Sequence, residues 1–421
     1  MTALPIDRSV SATDVRDALI ARREIALLDV GSEAVFADAH PLFAASLPFD
    51  RLDVEARDRI PRLTTPIVVY DNGETLASRA VTRLKELGYT SVALLDGGLD
   101  GWRSAGGEIF RDVNVPSKAF GELVDARRHT PSLSADELHA LLDAHADVVV
   151  LDARRFDEYQ TMSIPTGVSV PGGELVYRVR ELAPRPETLV VVNCAGRTRS
   201  IIGAQSLVNA GIPNRVAALR NGTIGWTLAG LTLDRGQSRR FVEASEAGIE
   251  RARTAARSVA ERAGVAWVSA SVIADWARDG TRTLYRFDVR TPEEFAAGHI
   301  RGFRSAPGGQ LVQETDVFAP VRGARIALAD DDGVRASMTA SWLAQMGWDV
   351  AVLDARVSSL DRHELVAGDA APVPPRPKGT GYKRPYEGTD NPHSAMQAYL
   401  EWEYGLVAQL ERDGTHGFHV I

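Results

Sequence analysis

The residue with the clearest chemical capacity in this chain is a cysteine. Cys194 is the only cysteine among the 421 residues. The β-branched run Val190-Val191-Val192 predicts a strand that ends just before it, and a helix is predicted to begin near Ser200. A thiol at such a turn lies where backbone amides, a helix N-terminus and nearby arginines can all lower its pKa. We therefore interpret Cys194 as a catalytic nucleophile rather than as a thiol of the hydrophobic core.

The loop after Cys194 has the composition of an anion-binding site. Successive amides of a tight loop can turn inward and form a nest for an anion, and arginine adds charge and forked donors. The candidate substrate-binding residues are Ala195, Gly196, Arg197, Thr198, Arg199 and Ser200. The nine histidines show no spacing typical of metal ligands, and this chemistry requires no metal and no organic cofactor.

Three segments of the chain share one layout, which must position this loop. Each begins with an apolar strand that ends in aspartate, at Asp29, Asp152 and Asp288. A second strand then leads into a loop and a helix, and the residues that open these loops are Asp71, Cys194 and Asp330. The aspartates that end the first strands and the residues that open the loops have the same spacing. Both are 123 residues apart between the first and second segments and 136 residues apart between the second and third. This agreement indicates a repeat.

Strands that alternate with helices, each helix followed by glycine, predict α/β domains with parallel sheets flanked by helices. We predict three such domains, at residues 1–117, 128–236 and 265–368, with Cys194 in the second. Residues 237–264 are predicted to form a linker helix, and residues 369–421 a Pro-rich segment (372–377) and a C-terminal helix. That helix is expected to begin at Asn391-Pro392. Its apolar stripe predicts docking on a domain and consists of Met396, Tyr399, Leu400, Leu406, Val407 and Leu410.

Composition excludes several classes of protein. The formal net charge of −8 gives no reason to expect binding to nucleic acid or to an anionic membrane. No apolar run is long enough to span a bilayer, and the first residues lack the basic and apolar segments of a signal peptide. A single cysteine cannot form an internal disulfide. We therefore expect the protein to be in the cytoplasm, where a reactive thiol stays reduced.

Over residues 5–368 the pattern resembles the rhodanese (sulfurtransferase) family, specifically its multi-domain bacterial members with tandem domains. The motifs that carry the resemblance are the cysteine loop, Asp152-Ala153-Arg154 with Glu158-Tyr159, Asp288-Val289-Arg290 with Glu294-Phe295, and Gly298-His299-Ile300. The middle unit departs with Met162-Ser163-Ile164, and the first has Asp29-Val30-Gly31-Ser32 without the arginine. The loops that open at Asp71 and Asp330 reach Ser78 and Ser337 in seven residues, whereas Cys194 reaches Ser200 in six. They are therefore not expected to be simple copies of the cysteine loop.

The resemblance implies a thiosulfate sulfurtransferase. Cys194 would take a sulfane sulfur from a small anionic donor such as thiosulfate and pass it, as a persulfide, to cyanide or to a thiol acceptor. Arg197 and Arg199 would hold the oxygens of the donor. The domains with Asp71 and Asp330 at the cysteine position would be inactive, with both carboxylates ionised, and would serve as scaffold or as partner-binding units.

Other polar and aromatic residues of the repeat have a structural interpretation. Asp152, Arg154 and Glu158 recur in a unit that has no thiol, so we interpret them as a structural ion-pair set. Trp102 and Trp226 are interpreted as packing anchors. Tyr177 and Arg178 either line the cysteine pocket or lie on the surface.

Two other functions stay open. A cysteine phosphatase shares this strand–loop–helix arrangement, but it needs an arginine as the sixth residue after the cysteine, and Ser200 stands there. A non-catalytic tandem module for binding or redox sensing is the second alternative, favoured by two units that lack the nucleophile. The two arginines of the cysteine loop count against it.

Overall fold

A computed structural model describes residues 9–359, 365–368 and 382–421 of the chain. The elements of the first domain are β1 (Ser9–Val10), α1 (Ala12–Ile20), β2 (Ala26–Asp29), α2 (Glu33–Asp38), β3 (Ala44–Ser46), α3 (Leu52–Arg59), β4 (Ile67–Tyr70), α4 (Ala77–Glu86), β5 (Val92–Leu95) and α5 (Gly98–Ser104). Helix α6 (Val115–Arg128) connects it to the second domain.

The second domain repeats this order. Its elements are β6 (Ser132–Leu133), α7 (Ala135–Asp143), β7 (Val148–Asp152), α8 (Phe156–Thr161), β8 (Val168–Ser169), α9 (Leu175–Leu182), β9 (Leu189–Asn193), α10 (Thr198–Asn209), β10 (Val216–Leu219) and α11 (Gly222–Leu228). Helix α12 (Glu246–Arg262) follows it.

The third domain keeps the order of the five sheet strands and adds a short antiparallel pair. Its elements are β11 (Ala266–Val268), α13 (Ala270–Asp279), β12 (Leu284–Asp288), α14 (Pro292–Ala297), β13 (His299–Ile300), β14 (Arg304–Ser305), α15 (Gly308–Gln313), α16 (Thr315–Phe318), β15 (Arg325–Ala329), α17 (Arg335–Gln345), β16 (Asp349–Leu353) and β17 (Leu365–Val366). It has two helices, α15 and α16, where the others have one, and no α-helix directly after β16. Two helices, α18 (His393–Tyr404) and α19 (Leu406–Asp413), end the chain.

Each domain is built on a parallel five-stranded sheet, as the repeat predicts. The strand orders are β1-β5-β4-β2-β3, β6-β10-β9-β7-β8 and β11-β16-β15-β12-β14. The central strands β4, β9 and β15 therefore lead into the loops that open at Asp71, Cys194 and Asp330. Val190, Val191 and Val192 on β9 are fully buried, because helices cover both faces of the sheet. The predicted α/β fold is confirmed.

Glycine ends the helix that follows each of these loops. Gly88, Gly211 and Gly347 have φ values of 96°, 64° and 83°, which favour glycine because a Cβ is strained there. These glycines stop α4, α10 and α17 at the same place in the repeat and turn the chain back into the next strand.

The helices outside the domains differ in part from the sequence-based expectation. The linker helix begins only at Glu246, because the Ser245 side chain accepts the hydrogen bond that caps it, and residues 239–241 run beside β8 instead. The final helix begins at His393, one residue later than expected, and breaks at Gly405 into α18 and α19. The sequence reasoning missed α6. The Pro-rich stretch 372–377 lies outside the described residues.

Helix α6 matters for the site because it packs closely on the start of α10. An added Cβ at Gly121 of α6 would lie 2.9 Å from the Cγ2 atom of Thr198. Helices α18 and α19 pack in turn on α6. Two of these helices, α6 and α18, contact the cysteine loop, and both lie outside the three repeated units. Within the part of the chain that the structure describes, no helix is both long and apolar enough to cross a bilayer.

Candidate active site

The backbone of the cysteine loop is held by the start of α11. The carbonyls of Cys194 and Ala195 accept hydrogen bonds from the amides of Thr223 and Ile224, at 2.9 and 3.0 Å. The chain can approach this closely because Gly222 has no side chain: an added Cβ would lie 2.2 Å from the carbonyl oxygen of Cys194. The loop carbonyls therefore point toward α11.

This orientation leaves the amides of the loop available. Among the described residues, no backbone carbonyl accepts a hydrogen bond from the amides of Ala195 to Ser200. Free amides in succession, at the N-terminus of the twelve-residue helix α10, are the elements of an anion-binding nest.

The two aspartate loops have the same length as the cysteine loop. Oδ2 of Asp71 accepts from the amide of Ala77 at 2.7 Å, and Oδ2 of Asp330 accepts from the amide of Ala336 at 2.9 Å. Both donors are the sixth residue after the aspartate, as Ser200 is after Cys194. The comparison with Ser78 and Ser337 was therefore wrong, because neither serine is the counterpart of Ser200. A carboxylate oxygen takes the place of the sulfur in both loops.

The charge balance around Asp330 differs from the expectation of a carboxylate stabilised by its loop. Burial and the neighbouring carboxylate of Asp332 raise the pKa of Asp330 well above its ordinary value. The amides of Ala336 and Gly333 and the charge of Arg335 oppose this rise without cancelling it. The expectation weighed the amide nest and left out desolvation.

Arg199 lies in the loop with its guanidinium held by Glu158. Two parallel hydrogen bonds of 2.7 and 2.8 Å join the pair. Although burial opposes it, the charge of Arg199 lowers the pKa of Glu158 to about 2. Arg335 and Glu294 form the same pair in the third domain, at 2.6 and 3.0 Å. The recurrence in a domain without a thiol supports a structural role for Glu158, which fixes the arginine beside the loop.

Arg197 is not free to bind a donor in this structure. Its guanidinium forms a fork with Glu122 of α6, at 2.7 and 2.8 Å, and a further bond of 3.0 Å with Asp125. It also lies 4.2 Å from the ring centre of Tyr404 on α18. The expectation that Arg197 holds the donor's oxygens is corrected: the residue joins the loop to α6 and α18.

The remaining predicted residues of the loop face the enclosing helices. Ala195 packs in an apolar cluster with Tyr386 and Tyr399, and Thr198 packs on α6. The Ser200 hydroxyl donates to the carbonyl of Arg197 at 2.8 Å, which tightens the first turn of α10.

Burial raises the pKa of the Cys194 thiol, contrary to the expectation from its loop. The charge of Arg199 and hydrogen bonding by Ser200 act in the opposite direction, and the charge of Glu403 adds to the rise. Cys194 is only 2% exposed. The prediction that the pKa of Cys194 is lowered was wrong for this closed arrangement. That prediction considered the charges of the loop but not the loss of water around the thiol.

The C-terminal helix α18 brings a carboxyl group to the loop, which sequence reasoning missed. An added Cβ at Gly196 would lie 3.1 Å from both Oε2 of Glu403 and Cε1 of Tyr399. The hydroxyl of Tyr399 donates to Oε1 of Glu403 at 2.8 Å. Oε2 is buried and has no hydrogen-bond partner among the described residues.

A buried lysine ties α6 to this helix. Nζ of Lys118 lies 3.0 Å from Oδ1 of Asp112 and 5.1 to 5.4 Å from the ring centres of Tyr386, Tyr399 and Trp402. Burial opposes its charge, but Asp112 raises the pKa of Lys118 above its ordinary value. The Asn114-Val115-Pro116 start of α6 was the sequence signal for this helix. Nothing local indicated its partners.

The other residues considered from the sequence have structural partners. Arg154 forms a buried fork with Asp152, at 2.9 and 2.7 Å, so the structural interpretation of this pair is supported. Trp102 and Trp226 are each 1% exposed and are packing anchors as predicted. Tyr177 lies 5.1 Å from the guanidinium of Arg335 in the third domain. It therefore belongs to an interface between domains, whereas the adjacent Arg178 is buried and pairs with Glu174 and Glu243. In the described ranges, no group of three or more His, Cys, Asp and Glu residues could hold a metal.

Comparison with known proteins agrees with this geometry. The rhodanese-like domain family matches residues 11–105, 134–229 and 272–358. The structure of thiosulfate sulfurtransferase from Pseudomonas aeruginosa is 51% identical, covers 99% of this chain and 100% of its own, and superposes with a TM-score of 0.94. No curated protein matches.

Other similar structures correspond to a quarter of the chain. The Alr3790 protein from Anabaena sp. is 28% identical over 25% of this chain and 84% of its own, with a TM-score of 0.23. A rhodanese-related protein from Thermoplasma volcanium is 23% identical over 25% of this chain and 97% of its own, with a TM-score of 0.22.

Three repeated α/β units, one of them with a cysteine where the others have aspartate, define a tandem rhodanese-like protein. The chain belongs to the rhodanese-like domain family. The expectation of a rhodanese-type sulfurtransferase is thereby confirmed.

Proposed function

We propose that this protein transfers the sulfane sulfur of thiosulfate, and that the sulfur is carried as a persulfide on Cys194. The observation that carries the proposal is the loop itself: the lone thiol opens a six-residue turn whose amides have no backbone acceptor among the described residues. The full-length likeness to a thiosulfate sulfurtransferase supports the choice of donor.

In the first half-reaction the thiolate of Cys194 attacks the sulfane sulfur of thiosulfate. A bond forms between Sγ and that sulfur, and the bond between the two sulfurs of thiosulfate breaks. The electron pair leaves with sulfite, so a thiolate and a dianion become a persulfide anion and a sulfite dianion. The loop amides and Arg199 are placed to stabilise the negative charge at each stage.

In the second half-reaction a nucleophilic acceptor takes the outer sulfur. Cyanide attacks it, the sulfur–sulfur bond of the persulfide breaks, and thiocyanate leaves while the thiolate of Cys194 is restored. A thiol acceptor in its thiolate form reacts in the same way and becomes a persulfide. The amide of Ser200 is placed to donate to the thiolate that is regenerated, because the equivalent amides in the aspartate loops donate to a carboxyl oxygen of Asp71 or Asp330.

The three domains have different parts in this proposal. Residues 128–236 form the catalytic domain, and residues 1–117 and 265–368 form domains without chemistry of their own, since a carboxylate cannot carry a sulfane sulfur. Residues 237–264 connect the second and third domains, and part of residues 382–421 covers the cysteine loop. A cytoplasmic setting suits a lone reactive thiol, and we propose no membrane or nucleic-acid partner.

The experiment is a sulfur-loading assay on the purified protein. Thiosulfate should release one sulfite per chain and add about 32 Da, one sulfur atom, to the intact mass. Because Cys194 is the only cysteine, the added mass identifies the site. Cyanide should then remove it as thiocyanate. The Cys194→Ser variant should neither load nor turn over while keeping its circular dichroism spectrum.

A wild-type chain that releases no sulfite would contradict the proposal and favour a binding or redox-sensing module. Turnover that persists in Cys194→Ser would exclude the persulfide mechanism.

A further inference from the structure

The site contains a buried carboxyl group that the proposed reaction does not use. Glu403 is 1% exposed and lies over Gly196, in the middle of the cysteine loop. One of its oxygens accepts from Tyr399, while Oε2 lacks a partner in the described part of the chain. A buried carboxylate oxygen without a donor is costly, so the position favours a protonated group or one that meets a ligand.

The groups around Glu403 compensate its charge only in part. The titratable groups that face it come from its own helix, from α6 and from the loop, and they are Tyr399, Lys118, Glu122, Arg197 and Cys194. The two cations among them already have partners: Lys118 pairs with Asp112 and Arg197 with Glu122. Burial, with a contribution from the charge of Glu122, raises the pKa of Glu403 to about 7.

We propose that Glu403 determines when the donor can bind: the dianionic donor enters the loop beside Cys194 only when Glu403 is protonated. This inference rests on the proposed function. An ionised carboxylate at Gly196 and a dianion in the same desolvated loop repel each other strongly. A protonated Glu403 instead offers the hydrogen on its unpaired oxygen to an oxygen of the donor. Glu403 is thus a specificity-determining residue of the donor site.

The proposal predicts a proton uptake that accompanies donor binding. Below the pKa of Glu403 the dissociation constant of thiosulfate is independent of pH. Above that pKa each pH unit weakens binding about tenfold, because one proton must be taken up for each donor bound. Attack by Cys194 requires the opposite change, since the thiol must lose its proton. Donor affinity and the loading rate constant therefore depend on pH in opposite directions.

The test is single-turnover loading without an acceptor. Sulfite release is followed at a series of thiosulfate concentrations between about pH 6 and about pH 9, a range that includes the ordinary pKa of a thiol. The concentration dependence separates the apparent dissociation constant from the loading rate constant. Glu403→Gln should show the low-pH affinity at every pH. Glu401→Gln is the matched control, because Glu401 is exposed on the same helix, and it should follow the wild type.

A second variant keeps the test independent of the folding of Glu403→Gln. Tyr399→Phe removes the hydroxyl whose hydrogen bond lowers the pKa of Glu403, so the weakening of affinity should begin at higher pH than in the wild type. Three results would each overturn the inference. They are a thiosulfate affinity that does not depend on pH in the wild type, a wild-type pH dependence of that affinity in Glu403→Gln, and a loss of affinity in Tyr399→Phe that begins at the same pH as in the wild type. Absence of sulfite release from the wild type at every pH would instead overturn the proposed function.

Discussion

The turn that holds the cysteine loop gives the sharpest test of the site geometry. Gly222 has a φ of 53°, and a Cβ added there would lie 2.2 Å from the carbonyl oxygen of Cys194 and 2.8 Å from its carbonyl carbon. Real Cβ contacts essentially never fall below 3.0 Å. Gly222→Ala must therefore separate the start of α11 from the backbone of Cys194 by about 0.8 Å or more. We expect the loop to move, and shifts of that size in a reacting group lower rates by about 100-fold.

The first domain provides a matched control. Gly98 begins α5 as Gly222 begins α11, with a φ of 54°, but an added Cβ would lie 3.9 Å from the carbonyl oxygen of Asp71. Both Gly98→Ala and Gly222→Ala place a side chain on left-handed backbone, which costs about 1–2 kcal/mol. Only Gly222→Ala also brings a Cβ against the cysteine loop.

The assay is single-turnover sulfur loading at saturating thiosulfate, with thermal unfolding measured on the same samples. Gly98→Ala should load at the wild-type rate and Gly222→Ala about 100-fold more slowly. If Gly222→Ala loads as fast as Gly98→Ala, the contact between the cysteine loop and α11 does not position the thiol.

Three further predictions concern the charges of the loop. Arg199→Ala should weaken thiosulfate binding by about 10- to 150-fold, the equivalent of about 1.5–3 kcal/mol for hydrogen bonds to a charged group. Arg199→Lys should restore part of the lost affinity. A dissociation constant that does not change in Arg199→Ala would exclude contact between this residue and the donor. Alkylation of Cys194 by iodoacetamide should have a midpoint above the ordinary thiol pKa of about 8.5, because burial disfavours the thiolate. A midpoint below that value would show that the charges of the loop outweigh burial. Arg197→Met should lower the free energy of unfolding by about 3–5 kcal/mol, since it leaves the carboxylate of Glu122 buried without its partner. Adding Glu122→Gln should recover most of that loss, and no recovery would show that charge is not the cause.

Much of the architecture is readable from the sequence because it depends on local pattern. Apolar strands, helices that end in glycine and the equal offsets between landmarks identify three parallel α/β units and place Cys194 at the end of a central strand. The fork between Asp152 and Arg154 is also local, since Arg154 follows the last residue of β7 by two positions. Within the repeat, the loop length was misjudged, because a serine was matched by its type and not by its offset. Outside the repeat, α6 was missed and the final helix is divided at Gly405.

What encloses the thiol was decided by tertiary structure alone. Arg197 meets Glu122 across 75 residues and Tyr404 across 207, and a helical pattern shows which face of α18 is apolar but not which loop it covers. The pKa of Cys194 depends on that cover: the loop supplies charges that favour the thiolate, and the helices remove the water that would solvate it. The sequence by itself determined the chemical group and the loop that holds it, whereas contacts between distant helices decided its burial, and with it the direction of the shift in its pKa.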